Sequence, residues 1–380
     1  MIKNKEITTY NALRGIGSIG ILFSHMTYMA DSVNPFYSGF YKYFMRYGSA
    51  CSSFFFICSG FFLNYAWKDK PFVVYVKSKF KRIYPLTFAV FLLALLADVI
   101  MTGNNIVSEG VQIFSKQWYF NIIANIFLFK SFVPLRTTYY SFHGPSWYIS
   151  VLFVFYLIAF WIIKGLRSDD RLIVKRSRTV IMGGCCLTYT IQLIICVILH
   201  FIDTDVLYWS YVNPYFHIFG ECMIGVIICE YNYEIQRIVN RITNRMRESI
   251  IEIITVAIVV LFFESRNILK LNISSAWMWV IPFGLTMIVF RNGADGVISK
   301  ILNMRWMQYI GTISFELYMT HAFVYEGLPV IASIINESIK EWILYHVGTR
   351  FIITLVLSIV FAHIIHKLMN MKTMIFSQNK

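Results

Sequence analysis

The sequence predicts an all-α, polytopic integral membrane protein: a bundle of about ten transmembrane helices with one re-entrant or interfacial segment. Three observations carry that prediction. Of 380 residues, 57% are hydrophobic and only 14% charged, against roughly a quarter charged in an ordinary soluble domain. Apolar runs recur near the length of roughly 20 residues that a helix needs to cross a bilayer core. Lys and Arg fall in short clusters between those runs, as in loops retained on the cytoplasmic side.

Spans are predicted near residues 9–30, 47–67, 83–102, 145–164, 179–200, 213–230, 249–264, 274–291, 306–330 and 349–367. A further apolar stretch, 111–133, is ambiguous by composition. The basic residues decide it. With the N-terminus inside and 111–133 not crossing, 24 of the 34 Lys and Arg residues lie on the cytoplasmic side. If 111–133 crossed, every later loop would invert, and the cluster from Lys164 to Arg178 would lie outside. The positive-inside rule therefore makes 111–133 re-entrant or interfacial on the outer side, with both termini cytoplasmic. Lys3 and Lys5 before an apolar run resemble a signal peptide, but Arg14 interrupts that run and no A-x-A-like site follows. The run reads as an uncleaved first span. No polar stretch is long enough for a soluble catalytic domain, so 1–380 is expected to form a single membrane-embedded domain.

The net charge of +14 does not point to nucleic acid, because the basic residues do not gather on one soluble face. The seven cysteines lie in apolar runs, without C-x-x-C pairing or a histidine at metal-ligand spacing. They read as small packing residues, and neither a disulfide framework nor a metal is expected.

Any chemistry must then use groups at or inside the membrane, where an ionisable side chain is costly and is a functional candidate. Arg14 and His25 share the first span. Eleven residues apart, they fall within roughly 20° of one helical face and about 16 Å apart along the axis. The plain alternative is an arginine snorkelling to lipid phosphates and a histidine bonding a neighbouring helix. The functional reading is an anion anchor at one end of a passage and a proton acceptor at the other, histidine being suited to base work near neutrality. The span 306–330 holds Glu316 and a polar face of Ser314, Tyr318 and His321 at i, i+4, i+7, which either packs against helices or lines a wet cavity. Lys79 and Arg82 lie in the basic run before Pro85, a topology signal or a docking point for a phosphorylated donor. Glu221 lies deep in a span with no partner evident from sequence.

Five motifs, in this order, resemble the acyltransferase 3 family of integral membrane O-acyltransferases. They are RGIGSIGILFSH, from Arg14 to His25; SSFFFICSGFF, placing Ser59, Gly60 and Phe61; KFKRIYP, with Lys79 where the family favours arginine, and Arg82; PSWYISVLFVFY, placing Trp147, Ser150 and Tyr156, with Leu152 where many members have glutamate; and ISFELYMTH, placing Ser314, Tyr318 and His321. The resemblance spans nearly the whole chain. It implies a bacterial cytoplasmic-membrane enzyme that moves an acyl group, by family habit acetyl, from cytoplasmic acyl-CoA to a hydroxyl of a surface or lipid-linked glycan. Arg14, Lys79 and Arg82 would engage the CoA phosphates. His25 would act as base or acyl carrier, with His321, Tyr318 and Ser314 orienting the acceptor or stabilising the oxyanion. The rival reading, a transporter or flippase for a glycan or lipid-linked intermediate, fits ten spans with buried polar groups, though the internal symmetry frequent in transporters is not evident.

Overall fold

The computed structural model describes residues 8–101, 110–201, 213–242, 245–269, 276–291 and 295–378. Among them the fold is helical, without a strand. The principal helices are α1 (Thr8–His25), α2 (Cys51–Tyr65), α3 (Phe72–Met101), α4 (Trp147–Leu166), α5 (Arg171–Phe201), α6 (Met223–Glu230), α7 (Arg245–Leu269), α8 (Ala276–Val289), α9 (Arg305–Thr312), α10 (Ser314–Ile335) and α11 (Val347–Gln378). Four stretches are long and apolar enough to cross a membrane: Phe72–Ile100, Gly144–Leu166, Arg171–Ile195 and Val347–Met371. Cys51–Tyr65 and Met278–Val289 are shorter apolar helices. Exposed Leu, Ile and Val line the long helices, for example Leu96 and Ile100 on α3 and Val356 and Val360 on α11. Such surfaces suit lipid rather than water.

The ambiguous stretch 111–133 holds an eleven-residue helix, Lys116–Ile126, begun by the Ser115 side chain accepting from the Trp118 amide. At about 1.5 Å per residue it spans about half of the roughly 30 Å hydrocarbon core. Three residues here and beyond, Phe114, Leu128 and Phe142, have positive φ, marking the tight reversals on either side of this helix and in the following turn.

The described chain forms two compact units. The first holds Ser53–Ile298. Here α2 and α6 touch backbone to backbone: a Cβ on Gly60 would overlap the Cys222 carbonyl, and one on Gly225 would overlap the Ile57 carbonyl. Small residues permit this approach in membrane helices. Two parts of the predicted 213–230 span, Pro214–His217 and α6, flank a π-helical turn at Ile218–Cys222. Such turns recur at functional sites.

The second unit holds Ile7–Ser52 and Ser299–Lys380. Its centre is α1 against α9 and α10, with α11 packed on α10. The predicted 9–30 span ends as an α-helix at His25 and continues into a 3-10 turn at Thr27–Met29. The predicted 306–330 span is interrupted at the buried Ile313, which separates α9 from α10. One apolar cluster, Ile313, Leu317 and Ala362, joins α10 to α11, and another, Leu22, Met26, Met29, Tyr41 and Met45, supports the turn after α1.

Candidate active site

Glycines explain how α1 is placed. Gly15, Gly17 and Gly20 make its sequence a poor helix former, each costing about 1 kcal/mol relative to alanine. Two of them are used for contact. A Cβ on Gly15 would lie 2.7 Å from the Gly311 nitrogen of α9, and one on Gly48 would overlap the Gly20 carbonyl. The Asn11 side chain donates to the Gln308 carbonyl at 3.0 Å. Held at both levels, α1 delivers His25 beside α10.

There the His25 and His321 rings lie 5.0 Å apart, centroid to centroid, inclined by 46°. His321 is fully buried. Its Nδ1 is 2.6 Å from the Tyr318 carbonyl, so Nδ1–H donates, and in the neutral ring Nε2 carries the lone pair. That Nε2 is buried without a hydrogen-bond partner among the described residues, as is Ser314 Oγ. Leaving such groups unsatisfied costs about 1–3 kcal/mol each, which is what a site awaiting a ligand or a proton looks like. Tyr318 is buried, with its ring 6.0 Å from His321. His25, in contrast, is exposed as a residue. The His321 imidazole is thus the fully buried, oriented member of the pair.

Arg14 lies on α1 about 16 Å from His25 by helical rise. It is half-buried and makes no ion pair among the described residues. On the same face between the two, Ser18 and Ile21 are packed away. Further along the second unit, Glu316 Oε1 is 2.8 Å from His366 Nδ1, and the Asn370 amide lies 2.9 Å from His366 Nε2. Glu316 Oε2 is buried and unsatisfied.

Lys79 and Arg82 belong to the first unit, so the structure does not gather all predicted donor-binding residues in one unit. Lys79 Nζ sits over the rings of Tyr75 and Tyr156, at 5.4 and 5.2 Å; Arg82 is exposed. Tyr156 comes from the PSWYISVLFVFY motif, whose other residues tie down the loop after Lys116–Ile126. Ser150 Oγ donates to the Leu128 carbonyl at 2.7 Å, and Ser131 Oγ donates to the Trp147 carbonyl at 2.8 Å. Leu152 is buried as an ordinary apolar residue. A cavity of about 600 Å³ in this unit is lined by Arg171, Lys175 and Arg178, among others.

Glu221 acquires the partner that sequence reading did not find. Its Oε2 is 2.6 Å from His217 Nδ1, both side chains are buried, and the His217 ring stacks on Phe56 at 4.5 Å and lies tilted against Trp147 at 5.1 Å. Their i, i+4 spacing was the available signal. Lys130 was likewise passed over. It is fully buried, and its Nζ donates to the carbonyls of Ser141 at 3.1 Å and His143 at 2.8 Å. Burial pulls this ammonium down to about 7.

Long apolar helices, with a pair of imidazoles between two of the helices, are the features of a helical membrane protein. The chain belongs to the acyltransferase 3 family: the family's acyltransferase domain matches residues 7–367, nearly its whole length. It is also similar to the acyltransferase MdmB of Streptomyces mycarofaciens, 31% identical over 116 residues, which are 29% of this chain and 27% of that protein. The chain thus matches little more than a quarter of that relative's length. No solved structure matches.

Proposed function

We propose that this acyltransferase is an integral O-acyltransferase of the bacterial cytoplasmic membrane, a single membrane-embedded domain of ten spans with both termini inside. It moves an acyl group, acetyl by family habit, from cytoplasmic acyl-CoA to a hydroxyl of an extracytoplasmic or lipid-linked glycan. The observation that carries this reading is the His25–His321 pair, 5.0 Å apart. His25 takes the acceptor hydroxyl proton as the oxygen attacks the thioester carbonyl; the C–S bond breaks, and the leaving thiolate takes the proton from the imidazolium, giving ester and CoA. In the variant path, His25 itself attacks, releases CoA and passes the acyl group to the hydroxyl. Ser314 and Tyr318 supply hydroxyl donors toward the developing oxyanion, and His321 Nε2 accepts a proton or hydrogen bond. Arg14, on the same face of α1 as His25, supplies positive charge for the CoA phosphates. The pantetheine arm reaches His25 once the packing at Ser18 and Ile21 gives way.

The test is His25→Ala in purified, folded protein, following CoA release from acetyl-CoA and acyl transfer to surface glycan. A loss of about 10²-fold or more is expected for a missing base. Undiminished transfer would reject both roles of His25. Mass spectrometry of protein quenched with acetyl-CoA separates them, since only the carrier path leaves an acyl group on the ring. A transporter would release no CoA at all.

A further inference from the structure

One turn beyond the two histidines, the second unit carries a group that the reaction above does not use. Tyr28 follows His25 by three residues, and Tyr325 follows His321 by four, about 6 Å further along α10. Their rings are near parallel, 14° apart, with centroids at 6.4 Å. The Arg350 guanidinium, from the first turn of α11, lies 3.8 Å over the Tyr28 ring. Arg350 thus lies over the Tyr28 ring, and the Tyr325 ring runs near parallel to it, next to the imidazole pair. Thr27 Oγ1 and Tyr325 Oη lie 3.5 Å apart beside it.

The guanidinium is held but not satisfied. Arg350 makes no ion pair among the described residues, and its Nε is buried without a hydrogen-bond partner. Stacking occupies a face of the guanidinium and leaves its in-plane N–H groups, which form the fork that binds a carboxylate or phosphate with two parallel hydrogen bonds. A partly desolvated, unpaired cation is costly and is stabilised when an anion arrives. Tyrosine rings beside it offer the flat apolar surface and polar edge on which a sugar ring can pack.

On the acyltransferase reading above, we infer that Tyr28, Tyr325 and Arg350 form the acceptor subsite, and that the acceptor is an anionic glycan. Its carboxylate or phosphate sits on Arg350, one helical turn from His25, so that a hydroxyl on the same or the neighbouring sugar faces the imidazole. The charge on the acceptor then sets which hydroxyl is presented.

The inference is tested by binding, which does not depend on catalysis. Full-length protein in non-ionic detergent is titrated with three oligomers of matched length: a glucuronate-containing oligosaccharide, a glycerol phosphate oligomer and a neutral glucose oligosaccharide. At least one anionic oligomer is expected to bind about 10- to 100-fold more tightly than the neutral one, the range a charged hydrogen-bonded pair supplies. Arg350→Gln is expected to abolish that preference and leave neutral binding unchanged, while Arg350→Lys, keeping charge without the fork, retains part of it. Equal binding of both anionic oligomers by wild type and Arg350→Gln would overturn the inference. So would Arg350-dependent binding of short-chain phosphatidylglycerol alone, which would make the guanidinium a lipid headgroup anchor. His25→Ala is expected to keep the preference. If the preference stands while wild type releases no CoA, the catalytic reading fails and the subsite does not.

Discussion

The chemistry depends on a few side chains whose surroundings differ sharply. His321 is fully buried and oriented by a backbone carbonyl, with the His25 ring 5.0 Å away on an exposed residue. On the proposed mechanism, His25 exchanges a proton with substrate while the Tyr318 carbonyl fixes how the His321 ring is held. Lys130 is the opposite case, a buried amine used for structure. In the unfolded chain lysine titrates near ~10.4, but burial lowers Lys130 to about 7. Between those values the unfolded chain holds the extra proton, so the folded state gains stability as pH rises through this window and loses it as pH falls toward 7. The apparent melting temperature in detergent is therefore expected to rise from pH 7 to pH 9. Lys130→Met removes that slope, and at pH 9 it melts lower than wild type because the Ser141 and His143 carbonyls lose their donor. A parallel pH profile in both proteins would refute the assignment.

Among helices, close approach is the controlling feature. The crossing of α1 and α9 has no room for a side chain at Gly15 or Gly311, where an added Cβ would overlap the Asn11 carbonyl. Gly311→Val is expected to cost about 1–3 kcal/mol or more, since backbone rather than a side chain must move. A clear fall in melting temperature, together with lost acyl transfer, is the expected readout. Gly183→Ala on α5 is the control: nothing lies within 4 Å of its added Cβ, and alanine is the better helix former. The interruption at Ile313 has a comparable role. By ending α9 and starting α10 anew, it places Ser314 at a helix start with Tyr318 and His321 above it on one face.

Across the whole molecule, long apolar helices alternate with basic connections, and this is the basis of the proposed sidedness. On a cysteine-free background, a cysteine at Ser168 is expected to react with a membrane-impermeant thiol reagent only after intact cells are opened, and one at Ser32 before. Reaction of both from the same side would overturn the ten-span topology. The apolar surfaces of α3 and α11 require lipid or detergent throughout.

Composition, span length and charge clustering were enough to read a helical membrane protein, because the bilayer imposes its constraints along the chain, one segment at a time. The motifs at Arg14, His25, Ser314, Tyr318 and His321 were readable for the same reason: each lies on a single helix with regular spacing. Pairings between distant segments were not readable. That His25 meets His321, that Glu316 meets His366, and that Arg350 lies on Tyr28 follow from which backbones can touch. Glycine contacts hundreds of residues apart in sequence settle that, and no local period records them. The Glu221–His217 pair lies between these cases, visible as an i, i+4 spacing but given meaning only by the π turn and the aromatic rings that bury it.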